Sequence, residues 1–381
     1  MKNLSCILLL CVCFFVHAEK VAANHEFILN GTVKGATTTT IYLCYVDARE
    51  KFRTDSSHLD QGHFTFKGMI KGSALAFIGL VKKALPLEDD DIGTADGKNA
   101  TVLFLEPQRM EVELEGSNFK NAVVKGSVSQ EQYAAFTTNL KHINDRYKAQ
   151  NDSVQALNTI DKIHKVEIRA RLASIREQAA SKALRGFIAQ YPASYVTAYL
   201  VSTSHFKLDS LKLFYNRLPR AVKQSGYGDD IEEMIARKES VTVGKTAPMF
   251  KQATRKGDTI NLKDFRGRYV LLQFWSSTNN ASRANNKALI SVYDQFKDRQ
   301  FTILGISSDG QKTRAAWLDA VEKDHLPWIE LAALKNTHNP AMQRFDVQSI
   351  PANFLIDSKG KIAGVDLDAD QVRAILAKSL R

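Results

Sequence analysis

Side chains able to do covalent or acid–base chemistry are few and scattered in this chain. Of four cysteines, Cys6, Cys11 and Cys13 crowd into an apolar N-terminal stretch, and the fourth, Cys44, lies in IYLCYV. Both alternating faces of that segment are apolar, so its thiol reads as a buried strand residue; reactive thiols need an electropositive, partly open setting. Ser282 stands at the start of a helical pattern and would need a base within hydrogen-bond reach to act as a nucleophile. No histidine falls in that helix, and His325 and His338 are distant without a triad pattern. A hydroxyl at a helix start reads more simply as a cap or a solvated group. Around it cluster Asn279, Asn280, Asn285 and Asn286, whose amides, with free backbone N–H groups, would suit a polar ligand such as a glycan. The acidic run LEDDDIGTADG, residues 87–97, raises calcium ligation, but the places an EF-hand loop gives to Gly and Glu hold Thr94 and Ala100, which leaves a solvated hairpin loop. His58 and His63 flank a turn at Asp60-Gln61-Gly62, as if across a hairpin, and two imidazoles alone make a poor zinc site. No metal and no cofactor is expected.

The elements that must position these groups change character along the chain. Residues 1–18 carry one lysine, an apolar run from Ile7 to Val16 and Val16-His17-Ala18 before a charged segment, the pattern of a Sec-type signal peptide. A lipoprotein would need a small residue before the acylated cysteine, whereas Cys11 follows Leu10 and Cys13 follows Val12. No later apolar stretch is long enough to span a bilayer. Cleavage there removes three cysteines and leaves Cys44, which cannot form an internal disulfide alone. Residues 19–126 alternate short strands with glycine turns, predicting an antiparallel β-sandwich. Residues 127–240 become helical, with Ser129 and Gln132 as a capping box ahead of YAAFTTNLKHI. The basic series Lys162, Lys165, Arg169, Arg171, Arg176, Lys182 and Arg185 is interleaved with Asp161, Glu167 and Glu177, which favours a solvated helix face over a nucleic-acid or membrane surface. The net charge of +11 fits solubility or contact with anionic envelope material better than nucleic acid. Residues 241–381 hold the Ser282 cluster. There Tyr269–Trp275, YVLLQFW, reads as a strand buried on both faces, followed by a helix with Leu289, Val292, Tyr293 and Phe296 on one side.

The stretch YVLLQFWSSTNNASR resembles the start of the TlpA-like and AhpC/TSA-like thioredoxin-fold proteins of the bacterial cell envelope, whose pattern is roughly F-W-A-S-W-C-x-x-C-R. Phe274, Trp275, Ser277 and Arg283 match, while Asn279 and Ser282 occupy the two cysteine positions and Thr278 replaces the second tryptophan. Where such oxidoreductases often carry Glu and Pro, this chain has Asn285 and Lys287. The resemblance extends over Val241–Arg381, through Gly244, Ala247, Pro248, Phe250, Leu262, Phe265 and Gly267 and then FTILGISSD, LPWIEL and FLIDSKGKIAG. It implies an α/β thioredoxin-like domain, a cis Ile350-Pro351 bond in SIPANFLID, and a turn able to offer backbone to an extended peptide. Ile350, Pro351 and Trp275 are the candidate peptide-contacting residues. FILNGTVKG and GHFTFKG resemble a domain of unknown function that often precedes such domains, and FIAQYPAS, LDSLKLFYNRLP and QSGYGDDIEEMI resemble its helical connector.

Thiol–disulfide exchange needs an attacking thiolate and a second sulfur to resolve the mixed disulfide. Neither an amide nor a hydroxyl supplies these, so Asn279 and Ser282 mark a degenerate site without catalytic residues. The expectation leans away from an enzyme: an exported, periplasmic or cell-envelope binding or scaffolding protein, partnered by an envelope protein or peptide. The alternative is the family's thiol-disulfide oxidoreductase or thiol peroxidase chemistry, which would have to draw its sulfur from Cys44. A hydrolase built on Ser282 has no residue-level support.

Overall fold

A computed structural model describes residues 25–36, 38–80, 99–116, 118–157, 160–255, 257–333 and 339–380. The signal-peptide reading at 1–18, the acidic loop at 87–97 and His338 lie outside them. The chain divides into two compact units, Met1–Val196 with Gln224–Gly226, and Thr197–Lys223 with Tyr227–Arg381.

The first unit contains β1 (Glu26–Lys34), β2 (Thr40–Val46), β3 (Phe52–His58), β4 (His63–Met69), β5 (Ala74–Gly79), β6 (Ala100–Leu105), β7 (Arg109–Glu115), β8 (Val123–Lys125), α1 (Val128–Ala156) and α2 (Lys162–Gln190). Period-2 alternation turns Phe27, Leu29 and Val33 of β1 inward and its polar residues outward. Two four-stranded sheets, ordered β4-β1-β7-β8 and β3-β2-β5-β6, enclose one apolar core. Each large side chain buried there contributes about 1.5–3 kcal/mol. Gly31 lies under the Phe64 ring, where a Cβ would come within 2.1 Å of Cζ. The pairings are antiparallel except that β1 runs parallel to β7, which the chain reaches only after building the second sheet. His58 and His63 do not face each other across a hairpin ladder, because the chain changes sheets at the turn between β3 and β4.

Ser127, not Ser129, caps α1, accepting from the Gln130 amide at 3.0 Å; the Ser129 amide donates to Glu106. In α2 the bases turn partly onto α1, Arg169 donating to Asn151 and Lys165 to the Gln155 carbonyl.

The second unit takes in most of α3 (Tyr195–Ser202), then α4 (Leu208–Arg217), α5 (Arg220–Lys223) and α6 (Gly226–Ser240). After them come β9 (Lys251–Ala253), β10 (Thr259–Asn261), β11 (Tyr269–Trp275), α7 (Asn280–Phe296), β12 (Phe301–Ser307), α8 (Arg314–Lys323), β13 (Ile329–Ala332), α9 (Pro340–Arg344), β14 (Ala352–Ile356), β15 (Ile362–Val365) and α10 (Ala369–Ser379). A five-stranded sheet ordered β13-β12-β11-β14-β15 is parallel on the β13 side of β11 and antiparallel on the other. The central strand β11 is buried on both faces. Val270, Leu272 and Phe274 pack with Phe345 and Phe354, and Leu271 and Trp275 pack with Leu289, Val292 and Phe296 of α7. The Ile350-Pro351 bond is cis and leads into β14, and Asp368 with Gln371 forms the capping box of α10. Together these make the thioredoxin fold. Among the described residues no helix is long and apolar enough to cross a membrane.

Candidate functional site

Strand β11 ends at Trp275 and hands the chain to α7 through Ser276, Ser277 and Thr278. Asp309, just beyond β12 and buried, clamps this crossing: it accepts from the Ser277 amide and hydroxyl, both at 2.8 Å, and from the Ser307 hydroxyl at 2.6 Å. Asn279 is the N-cap of α7, its Oδ1 accepting from the Ser282 amide at 2.9 Å. The amide is thereby committed to the helix start, satisfying one of its orphan donors. Ser282 is fully buried, and among the described residues its hydroxyl has no hydrogen-bond partner and no base in reach to activate it.

The asparagine cluster divides. Asn280 is exposed, Asn285 accepts from the Gln273 side chain at 3.2 Å, and Asn286 is fully buried. Arg283 makes a two-pronged bond to the buried Asp324, at 2.6 and 2.8 Å, with Lys287 adding a third contact at 3.3 Å. The Arg283 guanidinium foremost, then Lys287, holds the Asp324 carboxyl below its ordinary range. This pair fastens the first turn of α7 to the end of α8.

Trp275 is fully buried, its indole N–H donating to Glu330 at 2.9 Å, and so cannot meet a peptide at the surface as its position suggested. Trp328 donates to the other Glu330 oxygen at 2.7 Å. Trp317, in the same core, brings its indole N–H near enough to act on the carboxylate without a well-formed bond. Burial pushes the Glu330 carboxyl up to about 8, against the indole bonds that favour its ionised form. Gly305 makes the room: a Cβ there would lie 2.2 Å from Glu330 Oε1. A single acid in the apolar run WIEL was the signal for this cage; for Asp309 and Asp324 only folding supplies one.

A groove of about 910 Å³ opens beside the cis turn, lined by Asn285, Gln348, Ser349, Pro351, Phe206 and Val243, among others. Ile350 is partly exposed, and no hydrogen bond among the described residues engages its amide or carbonyl. Ile350 and Pro351 are thus at the surface, and Trp275 lies beneath it. Cys44, in the other unit, is fully buried beside Phe77 and Ala100, with Sγ 3.3 Å from the Thr54 hydroxyl. Among the described residues no three His, Cys, Asp or Glu side chains are grouped to hold a metal ion.

Residues 243–365 match the AhpC/TSA family, and residues 27–133 match a domain of unknown function, DUF4369. A thiol-disulfide oxidoreductase ResA of Bacillus cereus is 29% identical over 128 residues, 34% of this chain and 71% of that protein. ResA of Bacillus subtilis is 26% identical over 133 residues, 35% of this chain and 71% of that protein. Among solved structures, the thioredoxin domain of a thiol-disulfide oxidoreductase from Bacteroides vulgatus is 30% identical, with 37% of this chain and 100% of that one covered and a TM-score of 0.35. The chain therefore joins a DUF4369 segment to a thioredoxin-fold segment of the AhpC/TSA family, related to ResA-type thiol-disulfide oxidoreductases.

Proposed function

We propose that this chain is an exported, redox-inactive thioredoxin-fold protein of the bacterial envelope, which binds an extended peptide segment of a partner in the groove beside Pro351. One observation carries this reading: the two positions where the family pattern has cysteines hold an amide spent on capping α7 and a hydroxyl sealed beneath it. Without sulfur there, neither attack on a disulfide nor resolution of a mixed disulfide can proceed. The parts that would face a peptide remain: the Ile350 backbone is open to strand-like pairing, and the groove offers pockets for side chains. The apolar rim includes Val243, 61% exposed. Export rests on the pattern of residues 1–18.

Titrating isotope-labelled protein with a panel of extended envelope-protein peptides tests this. Shifts should concentrate at Ile350, Ala352 and Asn285 and vanish in Val243→Asp. A panel that leaves the groove unmoved, or that shifts it equally in the variant, overturns the reading.

The names of the relatives favour a second reading, a thiol-disulfide oxidoreductase. It would need Cys44, whose thiol is enclosed in an apolar cluster and cannot meet a protein disulfide without local unfolding. Unchanged turnover in Cys44→Ser would eliminate that route.

A further inference from the structure

The residues that α7 buries, Ser282, Asn286, Leu289, Val292 and Phe296, form one stripe at helical spacing. Its last three places are apolar and pack against Leu271 and Trp275 of β11. Its first two are polar, and the β11 residue on the same sheet face, between Leu271 and Trp275, is Gln273. All three are fully buried, and Ser282 Oγ, Asn286 Oδ1, Asn286 Nδ2 and Gln273 Oε1 have no hydrogen-bond partner among the described residues. A buried polar group left unpaired is costly, and one such cluster inside a packed core calls for a common partner.

We infer that the junction of β11 and the first two turns of α7 is a binding site for an internal water molecule, held by Gln273, Ser282 and Asn286. The donor and acceptor inventory matches one water. Gln273 Oε1 and Asn286 Oδ1 accept its two protons, while the Ser282 hydroxyl and the Asn286 NH₂ group donate to its oxygen. Buried waters make about three such bonds, so the site is fully served. The Gln273 Nε2 bond to Asn285 Oδ1 then ties the water to a residue lining the groove, fixing which way the Asn285 amide presents itself. The hydration site does not depend on what the groove binds.

A high-resolution crystal structure of the full chain tests it directly. Density for a water within hydrogen-bond distance of the Ser282 hydroxyl and both amides is expected. Direct pairing of the Gln273 and Asn286 amides with no density between them overturns it. In solution, Ser282→Ala and Asn286→Leu should each lower Tm by about 2–4 °C, and the Ser282→Ala/Asn286→Leu double variant by less than their sum, since the first loss already releases the water. Strict additivity contradicts a shared ligand. Should the variants fail to fold, transfer of magnetisation from water to the Asn286 amide of the native chain is the deciding measurement; its absence counts against the site.

Discussion

The two units of this chain bury opposite things. The sandwich core is almost wholly apolar, its Tyr45 hydroxyl reaching out to Asp55, and Cys44 sits in a small apolar cluster on the other face of β2 as one more hydrophobe. The sheet of the second unit encloses Gln273, Ser282, Asn286, Asp309, Asp324, Glu330 and Asn353, most of them around the β11–α7 junction. So the one cysteine among the described residues is enclosed in an apolar cluster, while buried polar groups gather where the family pattern has its cysteines. Two carboxylates there refine the point: Asp324 and Glu330 are both buried, yet a directly bonded guanidinium drives the first down, whereas burial drives the second up against the neutral indole donors that bond it. The nature of the partner, not burial alone, sets the direction.

The comparison is broken most sharply by putting sulfur back. Asn279→Cys/Ser282→Cys should raise insulin-disulfide reduction from background to roughly tenfold above it or more, because the N-terminus of α7 still favours a thiolate. A dithiol that forms there without activity would mean that the scaffold, too, has drifted.

Next in size is the pH response of Glu330. Its folded carboxyl holds its proton up to about 8, whereas the ordinary value is 4.5. The native state therefore binds more protons than the unfolded one between these values, and stability falls as pH rises through that window. Glu330→Gln should flatten the fall, on the order of 3 kcal/mol between about pH 5 and about pH 8, in urea unfolding followed by tryptophan fluorescence. A slope unchanged by the substitution would place the titration elsewhere.

For Asp324 the sign reverses. The stability it contributes is present at neutral pH and is lost as pH drops through its lowered folded value. Arg283→Ala should cost about 2–3 kcal/mol at neutral pH, short of the full loss of a buried pair because Lys287 remains. Equal stability of wild type and variant at neutral pH would show that Lys287 suffices.

The smallest effect belongs to Cys44→Ser, a loss of about 1 kcal/mol from a hydroxyl placed among Phe77 and Ala100, partly relieved by Thr54. Peptide binding should not change.

Much of this was legible in the sequence. The doubly buried β11, the cis turn and the all-helical middle follow from periodicity and a few family landmarks. What escaped was long-range. Trp275, in a strand that reads as buried on both faces, is also a candidate peptide contact by resemblance, and only β13, which brings Glu330 across from 55 residues away to accept its indole N–H, shows that its polar edge is used inside. Ser129 fits a capping pattern as well as Ser127 does, and the choice is made by Glu106, which holds the Ser129 amide from a different element. The parallel seam of β1 and β7 leaves no trace in either strand's alternation. Asn286 reads as part of a surface amide cluster because only the packing of α7 shows that its place continues the stripe of Leu289 and Val292.

The sharpest trial of the central claim is insulin-disulfide turnover by the native chain in the presence of a thiol reductant. The rate should equal that of the reductant alone. Catalysed turnover that disappears in Cys44→Ser would contradict a redox-inactive protein.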